Sequence, residues 1–301
     1  MKAEIQKLPK STIQIDVVVP VEKVKEIYDR VLADITDDTE IKGFRKGKAP
    51  KDLVEKSVDQ SKLLGEAANK VLEKYYVQAL KENKIAPISN PKIDIKGFAL
   101  DKDFAFTAIV AVKPDIKLGD YKSKLKQVVE DKHKASQKQK EGALKEGKPL
   151  SDAHDHLHSN EIIDVITNSA EIEIAEMLIE EEVDRMMSRL VDQTQSLNMQ
   201  IDQYLKAQNK TAEQLRTEFS KMAENNIKAE FAMAEAIKQM NITVTDEEVE
   251  EMAKASGDPQ AVESIKDPVH KWYIKSILEK NKLITALVEE FGGEDPAKEE
   301  K

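Results

Sequence analysis

Apolar and polar positions alternate with period two over Thr12-Ile13-Gln14-Ile15-Asp16-Val17, the pattern of a strand with one buried face. After Pro20 the spacing becomes Val21, Val24, Ile27, Tyr28, Val31, that of an amphipathic helix. A second helical pattern runs from about Leu63 to Leu80, and strands follow at Ile93-Asp94-Ile95 and over 104–110, so a mixed α+β domain closes near Pro114. From Leu150 to Ser256 there is neither Gly nor Pro, which suits long helices. Within that span Ile179, Val183, Met186 and Leu190 fall on one face, while Thr211-Ala-Glu-Gln214 and Thr245-Asp-Glu-Glu248 read as capping boxes. Asp267-Pro268 opens a last helix, with Trp272, Ile277, Ile284, Leu287 and Phe291 as its packing positions before Gly292-Gly293.

Length and composition sharpen this picture. At 301 residues, with 35% charged and only 5% aromatic, the chain fits two or three domains rich in solvated helices better than a β-sandwich. It holds no apolar run long enough to cross a membrane, and Met1-Lys2-Ala3-Glu4 lacks a secretory layout, so the expected location is cytoplasmic, with no membrane partner. The absence of cysteine removes disulfides, thiolate metal sites and cysteine nucleophiles. Charge is segregated: residues 1–150 carry 31 Lys/Arg against 24 Asp/Glu, and residues 151–301 carry 16 against 33. The basic half suits a polyanion, which the acidic half would repel. Lys122, Lys124, Lys126, Lys132, Lys134, Lys138, Lys140, Lys145 and Lys148 crowd a segment whose one aromatic is Tyr121. That segment is expected to build no core and to act as a connector. The expected division is 1–120 α+β, 121–159 Lys-rich connector, 160–293 all-α with long helices, and 294–301 an acidic tail.

The most informative stretch is Ile41-Lys42-Gly43-Phe44-Arg45-Lys46-Gly47-Lys48-Ala49-Pro50-Lys51, with five basic residues and no acid. Two glycines allow tight turns around Phe-Arg-Lys, and Pro50 sets up the helix after it. The residues alone leave two readings: an exposed aromatic anchor flanked by cations, or a loop whose Phe44 folds back into its own core. Gly-Phe-Arg-x-Gly-x-x-Pro, complete here as Gly43, Phe44, Arg45, Gly47 and Pro50, resembles the ribosome-docking signature of the trigger factor family, the bacterial chaperones at the nascent-chain exit. Residues 79–87, 112–121, 171–183 and 241–248 are also similar to that family, so the resemblance covers about 1–121 and 160–291 and leaves the connector unmatched.

The resemblance implies an ATP-independent chaperone with Gly43, Phe44, Arg45, Lys46, Gly47, Lys48 and Pro50 on the ribosome, against protein and rRNA at the exit tunnel. It also implies unfolded nascent polypeptides as clients and a homodimer when free. The family's FKBP-like prolyl isomerase domain needs about a hundred residues and an aromatic-lined pocket, so the connector implies that it is absent and that the chain is not an enzyme. Eight of the nine methionines lie in the second half, and a flexible Met-lined groove fits many apolar segments. Met177, Met186, Met187, Met199, Met222 and Met233 are the candidate client contacts, with gap-filling the reading for any single one. His154, His156 and His158 share a spacing of two but lack an evident fourth ligand, so no metal and no cofactor is expected. Phosphate loops, nucleophile elbows and triads are missing from the sequence. The alternatives are a prolyl isomerase, as is usual for the family, and an RNA-binding protein with a helical dimerisation domain.

Overall fold

The computed structural model describes residues 1–41, 44–48, 50–146, 157–257 and 259–291. They form two units, one of Met1–Pro114 with Ala175–Glu180, the other of Asp115–Ile174 with the chain from Glu181 onward.

In the first unit β1 (Lys2–Leu8) and β2 (Thr12–Val19) make a hairpin. Helices α1 (Val21–Asp38), α2 (Lys51–Ser57) and α3 (Gln60–Glu82) follow, and β3 (Lys92–Ile95) and β4 (Phe104–Ala111) complete an antiparallel sheet of order β1-β2-β4-β3. The register sets Ile15 opposite Ala108, Val17 opposite Phe106 and Val19 opposite Phe104, so the alternating apolar sets share one face. That face is buried against Val24, Ile27, Tyr28 and Val31 of α1 and Leu63, Ala67, Val71 and Tyr75 of α3. On the opposite face Thr107 Oγ1 donates to Asp16 Oδ1 at 2.6 Å and Gln14 Nε2 to Asp16 Oδ2 at 2.8 Å. These two bonds favour the ionised form and hold the Asp16 carboxyl below its ordinary range.

Strand β1 has no counterpart in the sequence reading: the positions that share the sheet face of Val17, Ile15 and Ile13 are Ala3, Ile5 and Lys7, of which only Ala3 packs against the core, and the lysine blurs the alternation. The segment 175–180, at the start of α6 (Glu176–Ser196), packs in this unit through Met177, which is buried with Ala111 and Ala175. Lys10 pairs with Glu176 at 2.7 Å, and Lys92 with Glu180.

The second unit is helical apart from a two-residue ladder between β5 (Lys117–Leu118) and β6 (Ala170–Glu171) among its described residues. Beside that ladder the Gly119 N–H donates to the Ser169 carbonyl at 2.9 Å. A Cβ at 119 would lie 3.0 Å from the same oxygen, an approach that only glycine makes without a shift. The remaining helices are α4 (Tyr121–Glu146), α5 (Ser159–Ser169), α7 (Ile201–Ala207), α8 (Ala212–Gln239), α9 (Asp246–Ala255), α10 (Pro259–Ser264) and α11 (Pro268–Phe291). Its core joins Tyr121 and Leu125 of α4, Ile162 and Ile166 of α5, Ala232, Met233 and Ala236 of α8, and Leu283 and Leu287 of α11.

The Lys-rich segment therefore does build core. Tyr121 and Leu125, four residues apart, supply one buried helical face, Leu157 adds a third buried side chain, and Lys124, Lys126, Lys134 and Lys138 take the exposed faces. Lys122 pairs with Glu290 of α11 at 2.8 Å and Lys132 with Glu161 of α5 at 2.5 Å, tying α4 to its neighbours. Both capping boxes form: Thr211 Oγ1 accepts from the Gln214 N–H at 3.2 Å and Thr245 Oγ1 from the Glu248 N–H at 3.3 Å. Three helices of the Gly-free span end at asparagine. Asn198, Asn209 and Asn241 follow α6, α7 and α8 with φ of 54°, 51° and 52°, the left-handed conformation that Asn tolerates. No described helix is long and apolar enough to cross a membrane.

Tyr28, buried in α1, donates its hydroxyl to Glu55 Oε1 of α2 at 2.7 Å. Burial first, and then the Glu55 carboxylate, push the phenol up to about 12 from its ordinary 10.0. Above pH 10 the unfolded phenol ionises while the folded one keeps its proton. Its contribution to stability is thus complete below pH 10 and is lost as pH rises through about 12. Urea denaturation from pH 8 to 12 should show a falling midpoint above pH 10, and Tyr28→Phe should flatten that fall; an identical slope in the variant would contradict this assignment.

Candidate functional site

The basic loop lies between α1 and α2 and is set by contacts at its roots. After Asp38, Thr39 closes α1 with its backbone N–H on the Ile35 and Thr36 carbonyls and its Oγ1 donating to the Ile35 carbonyl at 2.6 Å. The Phe44 N–H donates to the Ile41 carbonyl and the Lys48 N–H to the Arg45 carbonyl, each at 2.9 Å, the second closing a turn over 45–48. Gly47 takes φ +74°, and a Cβ there would sit 3.2 Å from the Asp37 carbonyl oxygen. Pro50, with φ −56°, stands at the N-cap of α2. The far root is fixed by Val54, fully buried, and by the Tyr28–Glu55 bond.

On this frame Phe44 is 41% exposed and Arg45, Lys46, Lys48 and Pro50 face solvent. Gly43 lies outside the described residues. Lys46 leans back to Asp38 at 3.3 Å, placing a cation where α1 ends in Asp37 and Asp38, an arrangement its macrodipole disfavours without a counter-charge. Leu53 of α2 is a second exposed apolar side chain next to the loop. Sequence reasoning passed over it. The sequence carries no signal for it, because Leu53 turns outward only by virtue of Val54 being the buried position of this short helix.

The candidate client residues separate by burial. Met177, at 5% exposure, belongs to the first unit's packing, and Met233, at 4%, fills space beside the small Ala232 and Ala236; neither presents a surface. Met186, Met187 and Met199 are half-buried and Met222 is exposed. A larger apolar surface lies on α11, where Val269, Trp272 and Tyr273, at i, i+3 and i+4, are all exposed; Trp272, expected as a packing position, is 68% exposed. Ile274 and Leu278 carry the packing instead, against Val244, Val249 and Ile265. A groove of about 430 Å³ between α5, α8 and α11 is floored by Ile163, Ala229, Ile277 and Ile284. The Lys280–Glu230 pair, at 2.6 Å, lies at its rim.

His154 and His156 lie outside the described residues. His158 is the N-cap of α5, where its backbone N–H donates to Glu161 Oε2 at 2.8 Å. Among the described residues no group of three His, Cys, Asp or Glu side chains is placed to hold a metal.

A family model for bacterial trigger factor protein (TF) matches residues 1–146, and one for the bacterial trigger factor protein (TF) C-terminus matches residues 121–289. The matches overlap within α4, so the Lys-rich segment is covered from both sides, contrary to the expectation that it would stand unmatched. Over 122 residues the chain is 38% identical to the trigger factor of Desulforamulus reducens, and over 121 residues 35% identical to that of Carboxydothermus hydrogenoformans. Each alignment takes in 40% of this chain and 28% of the relative's length. Among solved structures, one from work on promiscuous substrate recognition in the folding and assembly activities of the trigger factor chaperone superposes with a TM-score of 0.60. It covers 97% of this chain and 100% of that one at 14% identity, a likeness of fold.

The loop geometry sets an expected contrast in stability. Gly47→Ala should cost about 1–2 kcal/mol, since it places a Cβ in the left-handed region against the Asp37 carbonyl. Phe44→Ala, at an exposed tip, should stay within about 0.5 kcal/mol. Urea midpoints of the two variants measure this, and equal losses would contradict the placement of both residues.

Proposed function

Since the chain belongs to the trigger factor family, we propose that it is an ATP-independent cytoplasmic chaperone that docks on the ribosome at the nascent-chain exit through residues 43–50 and shields unfolded segments with its helical half. The observation that carries this reading is the exposure of Phe44 beside Arg45, Lys46 and Lys48 on a loop whose two roots are fixed. An apolar ring enters a pocket while its neighbouring cations meet rRNA phosphates or acidic side chains, which gives both affinity and orientation. The client surface in this reading is the Val269–Trp272–Tyr273 face with Met222, exposed apolar area that competes with a client's self-association. The chain acts as a holdase without isomerase chemistry, a reading supported by two family matches that meet within α4.

Co-sedimentation with ribosomes tests the docking. Phe44→Ala combined with Arg45→Ala and Lys46→Ala should abolish it while leaving the circular dichroism spectrum unchanged, and wild-type association should weaken as salt rises. Undiminished co-sedimentation of the triple variant removes the loop from the contact.

Trp272 is the chain's single tryptophan, so its fluorescence reports on the proposed client face alone. Adding an unfolded, reduced client should shift its emission to shorter wavelength. Trp272→Ala with Tyr273→Ala should at least halve the suppression of client aggregation without lowering the melting temperature. Emission indifferent to client would place the client surface elsewhere.

A further inference from the structure

Helix α4 is cationic in a structural unit that is otherwise acidic. Residues 121–146 hold eight lysines against four acids, whereas residues 151–301 hold 16 Lys/Arg against 33 Asp/Glu. The lysines divide by contact: Lys122 and Lys132 are taken up by Glu290 and Glu161, while Lys124, Lys126, Lys134 and Lys138 are exposed. At 3.6 residues per turn, Lys124, Lys134 and Lys138 fall within about 80° of one another, on a side of the helix away from Tyr121 and Leu125, with Lys126 flanking them. The acids on the exposed surface of α4 up to residue 138 are Glu130 and Asp131, and Asp131 lies 3.7 Å from Lys134.

We propose that the outer face of α4, through Lys124, Lys126, Lys134 and Lys138, is a second polyanion-binding surface, separate from the 43–50 loop, that takes the phosphate backbone of RNA. The chemistry of the face selects that occupant. A membrane-surface helix needs a free apolar stripe, and the apolar stripe of α4, Tyr121 and Leu125, is spent in the core. A folded protein partner is held mainly by aromatic and arginine anchors, and this face offers neither. Lysines on flexible stems, with no group to read base edges, are what sequence-independent phosphate contact requires. Within the second unit the acidic surroundings add orientation, because they repel a polyanion that approaches this unit elsewhere than along α4.

The test uses the full chain and a fluorescein-labelled 20-base-pair RNA duplex of arbitrary sequence, with anisotropy followed from 25 to 200 mM KCl. Changing Lys124, Lys126, Lys134 and Lys138 together to Gln preserves helix propensity. It should weaken binding at least tenfold at 50 mM KCl and reduce the slope of log K against log salt by about 3.6, the share of four phosphate contacts. The same four changed to Arg should retain binding. A control set of exposed lysines in the second unit, Lys206, Lys221, Lys254 and Lys266, changed to Gln should alter affinity less than twofold. The Phe44→Ala, Arg45→Ala, Lys46→Ala variant should keep the α4-dependent part of the slope, so loss of the docking loop and loss of this face read out separately. The proposal is overturned if wild type does not bind the duplex at 25 mM KCl, or if the α4 quartet leaves affinity and slope unchanged. It is equally overturned if the control quartet weakens binding as much, or if polyglutamate of equal charge competes as well as unlabelled RNA.

Discussion

A four-stranded sheet with one apolar face can be buried only by elements that arrive from that side, and this constraint organises the first unit. Residues Ile15, Val17 and Val19 of β2, with Phe104 and Phe106 of β4, are covered by α1 and α3. The chain between those two helices must then travel outside the layer that they form. The short α2 keeps it from wandering, with Val54 in the interior and Glu55 bonded to Tyr28. The basic tip thus inherits its position from the burial of the sheet, with one phenol–carboxylate bond beneath α2 and one left-handed glycine at its base.

The second unit solves a different problem. Its core is a stripe of Ala232, Met233 and Ala236 packed between longer aliphatic side chains, which leaves the rest of each long helix to solvent. Some of that solvent-facing surface is apolar, as at Trp272, and some is cationic, as along α4. Neither kind is needed for packing. Both are therefore free to vary without disturbing the core, the condition under which a scaffold carries recognition.

Much of this organisation was legible in the sequence. Strands β2 and β4 followed from alternation, α1 and α3 from helical spacing, and the starts of α8 and α9 from threonine boxes whose two reciprocal bonds are local. What stayed hidden depended on contacts distant in sequence. The core role of Tyr121 and Leu125 was masked by the lysines around them, because a two-residue apolar stripe gains meaning only when α5 and α11 close over it. The burial of Met177 and Met233 and the exposure of Trp272 turned on which neighbour each side chain met, and hydrophobicity alone does not decide that. The tip motif was readable as residues and as a resemblance, but its exposed companion Leu53 needed the burial of Val54 to be seen.

The asparagines that end α6, α7 and α8 have a consequence for the chain before it folds. Glycine is the usual residue at a left-handed helix stop, and it carries the widest backbone freedom into the denatured ensemble, all of which folding must then remove. Between Leu150 and Ser256 this chain has no glycine, and three of its turns are made by residues with a Cβ. Its denatured ensemble is correspondingly narrower over that span, so less conformational entropy is surrendered when the helices form. Part of the helical half's stability lies in conformations that its unfolded chain never visits.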